Sequence, residues 1–353
     1  MIQSRHIDAF RAHFVRCGLA AGDDVVVLSE DDSRMPLVET ARLAAGSIGA
    51  RVVDIVVRTP SSGHAVPIRS TGASQALAGN QAIVRALGSV DLVIDCTVEG
   101  LLHAPELGQI LSGQSRVLMI SNEHLDTFDR LAWDDDLPRR VGVGHERLQS
   151  ASVMHVTSVA GTDLNVKLTD AVTAGSTGVT DGPGSIAHWP GGLVLAFPSA
   201  GAVNGVIVLA PGDINLTFNR YMETAVHLDV VDDHIVDISG DGLDAALFES
   251  YIGAFGDQAA FATSHVGWGM NPAARWDSLA MYDMRDVWGT EARAFAGNFL
   301  YSTGANEVAG RFTAGHFDLP MRNCTVELDG VPVVSDGVLC EELSPKIDWD
   351  QMS

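Results

Sequence analysis

The stretch DVVVLS, at Asp24–Ser29, sets the architecture of the first half of the chain. It is a short β-branched run in which apolar residues do not alternate with polar ones. This pattern is typical of a strand that is buried on both faces of a parallel sheet. A helical pattern precedes it over Ser4–Cys17, where Ile7, Phe10 and Phe14 are spaced along one face. The chain therefore begins with a helix followed by a buried strand.

The segments that follow alternate between helix and strand in the same way. Helices are predicted at 36–48, 74–87 and 105–111, and strands at 51–58, 91–96 and 116–121. This βαβα rhythm predicts an open, mostly parallel sheet covered by helices. Ligands of such sheets bind beyond the carboxyl ends of the strands. The loops at 97–103 and 122–124 are therefore the candidate site loops of this half.

The pattern changes near Pro138–Gly144. From Val153 onward, short strands alternate with turns rich in Gly, Asp and Asn, and one helix is predicted at 243–253. We therefore predict two domains. Residues 1–148 form a Rossmann-like α/β domain with an open, mostly parallel sheet, and residues 149–353 form an α+β, β-rich domain that carries the candidate metal ligands described below.

Composition and charge limit the possible partners. The net charge is -23 and the sequence pI is about 4.6. Such an acidic chain repels phosphate backbones and anionic membranes, so we expect no nucleic-acid or membrane partner. The N-terminus lacks the apolar region of a signal peptide. The four cysteines are scattered without C-x-x-C spacing, which fits a reducing cytoplasm and argues against a cysteine-ligated metal.

Histidine and aspartate recur as H-x-D pairs. Four occur in the chain: His6/Asp8, His124/Asp126, His227/Asp229 and His316/Asp318. On a strand, this spacing places both side chains on one face, where they could bind one metal. The first two pairs fall on predicted helices, and the third falls on a solvated hairpin. The fourth follows a glycine-rich stretch that allows close backbone approach, and we rank it first.

His265 is the third candidate ligand. Its surroundings, SHVGWGMNP at 264–272, predict a constrained loop rather than a regular strand, because Gly, Trp and Asn-Pro are dense there. With His316 and Asp318 it would complete the set of two histidines and one carboxylate found in mononuclear iron(II) oxygenases. The residue pattern alone also allows the simpler interpretation, in which these histidines are hydrogen-bonded core residues.

Four motifs carry a resemblance to known proteins: GTDLNVKL at 161–168, HWPGG at 188–192, SHVGWGMNP at 264–272 and AGHFD at 314–318. Through them the chain resembles the aminopeptidase T-like metallopeptidase family. Among the wider relatives of that family, it is similar to the ring-cleaving 2,5-dihydroxypyridine dioxygenases of bacterial nicotinate degradation. The resemblance extends over nearly the whole chain.

The chain departs from the peptidase pattern at three places. Leu193 and His265 stand where the peptidases carry glutamate, and the stretch at 298–304 has no histidine where they carry one. A two-metal hydrolytic centre needs bridging carboxylates. The resemblance therefore implies a single Fe(II) bound by His265, His316 and Asp318. An aminopeptidase T-like metallohydrolase, or a non-enzymatic protein with inactive metal positions, remains an alternative.

The dioxygenase resemblance also implies a substrate and the residues that contact it. The substrate would be 2,5-dihydroxypyridine, opened between C5 and C6 with O2 to give N-formylmaleamate. Leu102 and His103 would face the substrate, and so would His188. His103 and His188 would share acid/base and hydrogen-bonding work, for which imidazole is suited near neutral pH. The resemblance further implies a homo-oligomer. It leaves open which histidine is the acid.

Overall fold

The structure is a computed structural model that describes residues 1–61, 74–120, 122–131, 133–284 and 286–345. Its helices are α1 Ser4–Arg16, α2 Met35–Ile48, α3 Gln81–Leu87, α4 Leu107–Ser112, α5 Leu125–Arg130, α6 Leu137–Ser150, α7 Leu243–Gly253 and α8 Thr290–Ala294. No helix in these ranges is long and apolar enough to cross a membrane.

The strands divide at the point where the sequence pattern changes. The first group is β1 Asp24–Glu30, β2 Arg51–Val57, β3 Leu92–Asp95 and β4 Arg116–Met119. The second group is β5 Val153–Ser158, β6 Asp163–Lys167, β7 Val172–Ser176, β8 Ile186–His188, β9 Leu193–Phe197, β10 Val203–Leu209, β11 Ile214–Asn215, β12 Arg220–Tyr221, β13 Val226–Val231, β14 His234–Ser239, β15 Thr263–Gly269, β16 Phe299–Asn306, β17 Arg311–Met321, β18 Cys324–Leu328, β19 Val331–Ser335 and β20 Val338–Leu339.

The predicted parallel sheet is confirmed. Its order is β2-β1-β3-β4-β8, and each pair of neighbours is parallel. Residues of α1 and α2 pack on one face of the sheet and residues of α3 and α4 on the other, which explains why β1 is apolar on both faces. The edge strand β8 lies beyond the predicted boundary between residues 148 and 149. The two halves therefore share this sheet, and the division into two domains remains a prediction.

The helix predicted at 74–87 begins later than expected, at Gln81. Asn80 precedes it, and the Asn80 side-chain oxygen accepts a hydrogen bond from the Ile83 backbone N–H at 3.3 Å. This is the capping interaction that starts a helix. The residues before the cap form a turn in which Gly79 has a φ of 72°. The apolar spacing of the segment therefore extends beyond the helix itself.

The second half is rich in antiparallel sheet, as predicted. One sheet has the order β14-β13-β10-β6-β5-β18-β19-β20, and another has the order β17-β16-β15-β9-β7. Both contribute to one apolar core, together with residues of α6 and α7. The sheet β17-β16-β15-β9-β7 matters most for function, because it carries His265 on β15 and both His316 and Asp318 on β17.

The prediction that His265 lies in a loop is wrong, because it lies on β15, between β9 and β16. The glycines that indicated a loop are required by close strand packing: a Cβ on Gly267 would lie 2.0 Å from the Val194 carbonyl oxygen. The register shifts between Thr263 and Val266, where β15 has one more residue than β16. Such a bulge redirects a side chain, and His265 sits in it.

Gly304 is a position where the fold does not tolerate a side chain. It pairs with His316 across β16 and β17, has a φ of 109°, and a Cβ there would lie 2.0 Å from the Gly315 carbonyl oxygen. We expect Gly304→Ala to lower the free energy of unfolding by roughly 2 to 4 kcal/mol. Gly46→Ala, in open space on α2, should instead be neutral or stabilising by up to about 1 kcal/mol. Denaturant unfolding of both variants checks this, and equal stabilities would contradict it.

Candidate metal centre and substrate cavity

A cavity of about 520 Å³ lies between the parallel sheet and the antiparallel sheet β17-β16-β15-β9-β7. It is lined by the loop after β3 and by residues of β7, β8, β9, β15 and β17. All six predicted site residues line it: Leu102, His103, His188, His265, His316 and Asp318. The second candidate loop, at 122–124, does not line it. Its Glu123 instead accepts hydrogen bonds from the backbone N–H groups of Trp288 and Thr290.

The three predicted metal ligands converge at one side of this cavity. Asp318 Oδ1 lies 3.2 Å from His316 Nε2 and 3.6 Å from His265 Nε2. All three side chains are buried. His316 and Asp318 share one face of β17 because they are two residues apart. The bulge in β15 brings His265 to the same point from the neighbouring part of the sheet.

A fourth donor lies beside this set. One ring nitrogen from each of His103, His265 and His316 lies within 4.8 Å of the others, close enough to bind one metal ion. The described residues therefore offer two sets of three donors that share His265 and His316. They differ in whether Asp318 or His103 is the third ligand. The sequence assigned His103 to acid/base work, and that assignment remains a prediction.

The ionisation states around Asp318 suit a metal cation. Burial alone would raise the pKa of the Asp318 carboxyl, but the Arg293 guanidinium and the imidazoles of His316 and His265 hold it well below its usual range. Burial lowers the pKa of His265 to about 3. At neutral pH the carboxylate is therefore charged and this imidazole is neutral, as metal ligands must be.

Arg293 and Ser302 fix the Asp318 carboxylate, and the sequence analysis missed both. Arg293 Nε donates to Oδ2, while Ser302 Oγ donates to Oδ1. Because Arg293 engages Oδ2, the oxygen that faces the two histidines is Oδ1. Asp318 is thus presented to the centre through one oxygen. A lone arginine on a short helix, TEARA in α8, gives no sequence signal for this role.

His188 and His103, the other two predicted polar residues of the site, occupy different environments. Burial and the nearby Arg293 guanidinium lower the pKa of His188 to about 3, so its ring is neutral at physiological pH. His103 Nδ1 lies 3.6 Å from Glu307 Oε1, and this contact lowers the pKa of the Glu307 carboxyl. His188 is therefore placed for neutral hydrogen bonding, whereas His103 has a carboxylate beside it.

The rest of the cavity wall is largely apolar. Leu193, Leu195 and Phe197 on β9 contribute to it, together with Leu300 on β16 and Trp288 before α8. Leu193 occupies the position where the peptidase pattern has a glutamate. This wall suits a flat ring with a few polar substituents, because such a ring buries apolar faces and directs its polar atoms toward a few convergent groups.

Arg293→Met tests whether Arg293 holds the Asp318 carboxylate in its orientation. Without the guanidinium, the carboxylate is no longer held in one orientation, so we expect iron(II) affinity to fall about 10- to 100-fold. Arg140→Met is the matched control, because Arg140 is also fully buried and paired with an aspartate, Asp134. Anaerobic iron(II) titration of both variants measures the effect. Equal affinities in the two variants would contradict the assigned role.

Buried His13 on α1 contributes to the pH dependence of stability, in addition to His188 and His265, whose pKa values are also lowered by burial. Its Nε2 donates to the Gly178 carbonyl at 2.8 Å, beside the cavity wall, and burial lowers its pKa to about 4. The unfolded chain binds this proton below about pH 6.5 but the folded chain does not, so stability falls as the pH falls through this range. We expect a loss of about 2 kcal/mol from this group between pH 7 and pH 5.

Two variants isolate this effect in denaturant unfolding at the two pH values. His13→Gln keeps a donor but does not titrate, so its stability should depend less on pH. His227→Gln, on the exposed face of β13, should leave the dependence of the parent protein unchanged. An equally steep loss in His13→Gln would refute the assignment.

Sequence comparisons match most of the chain to known proteins. Residues 5–341 match the family model described as 2,5-dihydroxypyridine 5,6-dioxygenase. The enzyme of that name from Pseudomonas putida KT2440 is 36% identical over 319 residues, which cover 89% of each chain.

The solved structures agree as well. The 2,5-dihydroxypyridine dioxygenase from Pseudomonas putida KT2440 superimposes with a TM-score of 0.90 at 32% identity, covering 98% of this chain and all of that one. AmpT from Thermus thermophilus superimposes with a TM-score of 0.61 at 14% identity, covering 96% of this chain and all of that one, and so shares the fold. On this evidence of sequence and structure together, the chain belongs to the 2,5-dihydroxypyridine 5,6-dioxygenase family.

Proposed function

We propose that the chain opens the ring of 2,5-dihydroxypyridine between C5 and C6 with O2 and yields N-formylmaleamate. A single Fe(II), bound by His265, His316 and Asp318, would be its cofactor. The observation that carries the proposal is the convergence of these three donors on an apolar cavity in a member of this family. Both oxygen atoms of O2 enter the product, so no further reductant is needed.

The donor set fits iron(II) because it combines two imidazoles with one carboxylate. Iron(II) bound there would let electrons pass from the ring to dioxygen, and the positions left open would admit both reactants. Asp318 is presented through one oxygen, which leaves more of these positions open than a bidentate carboxylate would. If His103 were also a ligand, one more position would be filled, so we assign it outside the metal set.

His103 and His188 share the acid/base and hydrogen-bonding work on the substrate. A hydroxypyridine becomes more electron-rich when it loses a hydroxyl proton, and His103 lines the cavity where such a proton could be taken. Protonation of the buried His188 is disfavoured by its low pKa, so its neutral ring hydrogen-bonds the substrate instead. Leu102, next to His103 in the same loop, packs against the ring and excludes water.

Arg293 adds a fixed positive charge to the cavity wall. It is buried with 7% of its side chain exposed and is bound to Asp318. Asp318 offsets this charge, so a bound divalent ion would supply the excess positive charge that favours an anionic substrate over a neutral one. A deprotonated hydroxypyridine meets that condition. The same charge balance works against a neutral peptide substrate.

A metallohydrolase has less support, although the fold is shared with AmpT. The position of Leu193 supplies an apolar wall where a second metal would need a carboxylate. We also propose a cytoplasmic location, since none of the four cysteines forms a disulfide. The family resemblance supports a homo-oligomer.

Oxygen uptake tests the proposed function directly. Protein reconstituted anaerobically with one equivalent of iron(II) should consume about one O2 for each 2,5-dihydroxypyridine, with N-formylmaleamate as the product by mass spectrometry. Chelator-treated protein should consume none. Iron-loaded protein that consumes no O2 would refute the substrate assignment, and two bound metals with cleavage of amino-acyl amides would favour the hydrolase.

The ligand assignment is tested by the same reconstitution in variants. His265→Ala, His316→Ala and Asp318→Ala should each lose bound iron, since each removes one of three ligands. His103→Ala should retain a full equivalent of iron and lose turnover, because His103 is assigned to proton transfer. Loss of iron in His103→Ala with retention in Asp318→Ala would identify the three-histidine set as the metal site.

A further inference from the structure

Glu307 lies beside His103, which lines the cavity, and is outside the set of predicted site residues. It begins the short turn Glu307–Ala309 that joins β16 to β17. Its Oε1 lies 3.6 Å from His103 Nδ1, which is ion-pair distance and slightly longer than a direct hydrogen bond. The His103 side chain is 5% exposed and that of Glu307 is 46% exposed. A half-exposed carboxylate therefore faces a buried imidazole in the candidate site.

The turn that carries Glu307 is held in place by a buried amide. Asn306 Oδ1 accepts from the Ala309 backbone N–H at 3.2 Å, and Asn306 Nδ2 donates to the Pro198 carbonyl at 2.9 Å. Asn306 is fully buried. The backbone beneath Glu307 is thus fixed relative to β9 and β17, so the position of the carboxylate is set by the fold.

The His103 ring is also confined on its other sides. Its centroid lies 5.6 Å from that of His316, 6.4 Å from that of His265 and 6.5 Å from that of Phe197. The two nitrogens of an imidazole point away from each other, so a ring with Nδ1 toward Glu307 leaves Nε2 for the cavity. A carboxylate at Nδ1 favours the tautomer that carries its proton there. Nε2 is then a lone-pair acceptor.

We propose that Glu307 is a positioning residue that fixes the orientation and tautomer of His103, so that Nε2 accepts a proton from a ring hydroxyl of the substrate. The inference rests on the proposed function and deepens it. In this step the substrate O–H bond breaks and an Nε2–H bond forms. The substrate becomes an anion, and the cationic imidazole is paired with the Glu307 carboxylate.

The direct test is Glu307→Gln in iron-loaded protein. Glutamine keeps the size of the side chain but removes the charge, so we expect kcat to fall about 10- to 100-fold, with KM for 2,5-dihydroxypyridine and bound iron unchanged. Glu146→Gln, an exposed glutamate on α6 away from the cavity, is the matched control and should keep full activity. In Glu307→Ala, added formate should restore part of kcat, because the Glu307 side chain is half-exposed.

An independent readout separates failure of this inference from failure of the proposed function. In metal-free protein, histidine ¹⁵N NMR should find the Nδ1–H tautomer at His103, identified by loss of its signals in His103→Gln, and Glu307→Gln should shift the population toward Nε2–H. An Nε2–H tautomer in the parent protein, unchanged kcat in Glu307→Gln, or loss of iron from that variant would each overturn the role of Glu307. Absence of turnover in the parent protein would refute the substrate assignment instead.

Discussion

The contact between the Asp318 carboxylate and Arg293 is the interaction on which the site depends. Asp318 is almost fully buried, and a buried carboxylate would normally become protonated and lose its value as a ligand. Arg293 prevents this by engaging Oδ2, and Ser302 donates to Oδ1. With the charge retained, Oδ1 faces both histidines. The cavity therefore combines an apolar wall with a charged donor, which neither a polar cleft nor an apolar pocket could provide alone.

The antiparallel strands place these groups through close backbone packing. Gly304 lies opposite His316, and Gly267 lies two residues after His265, at points where a Cβ would collide with a neighbouring carbonyl oxygen. The bulge in β15 directs His265 toward β17. The parallel sheet contributes from the other side, through the loop after β3 and through β8. Since β8 pairs with β4 of the parallel sheet and lies in the chain between β7 and β9 of the other sheet, the two walls of the cavity are linked by the continuous chain.

The sequence predicted what depends on local pattern. The bounds of α2 and α7 and the parallel arrangement of the first sheet agree with the structure. His103, His265 and His316 line one cavity, but the family resemblance, not local pattern, implied this set. Prediction from the sequence failed where packing against other elements determines the local structure or the role of a residue. The glycines around His265 belong to a crowded strand, although their local pattern is that of a loop. Arg293 and Ser302 have no distinguishing spacing, because their role arises only when α8 and β16 pack against β17. Glu307 was missed for the same reason.

AmpT shares the fold at 14% identity, and a fold does not by itself determine the chemistry of its site. In this chain the fold supplies a cavity and an H-x-D pair on a buried strand. The resemblance to the aminopeptidase T-like metallopeptidases implies that the apolar Leu193 and the imidazole of His265 stand where the peptidases carry carboxylates. Each replacement removes a negative charge, and together they leave too few carboxylates to bridge two metal ions. The charge that remains at Asp318 is already shared with Arg293. A site of this kind can hold one divalent ion and an anionic ring together, because the carboxylate and the ring would offset two of the three positive charges of the ion and Arg293.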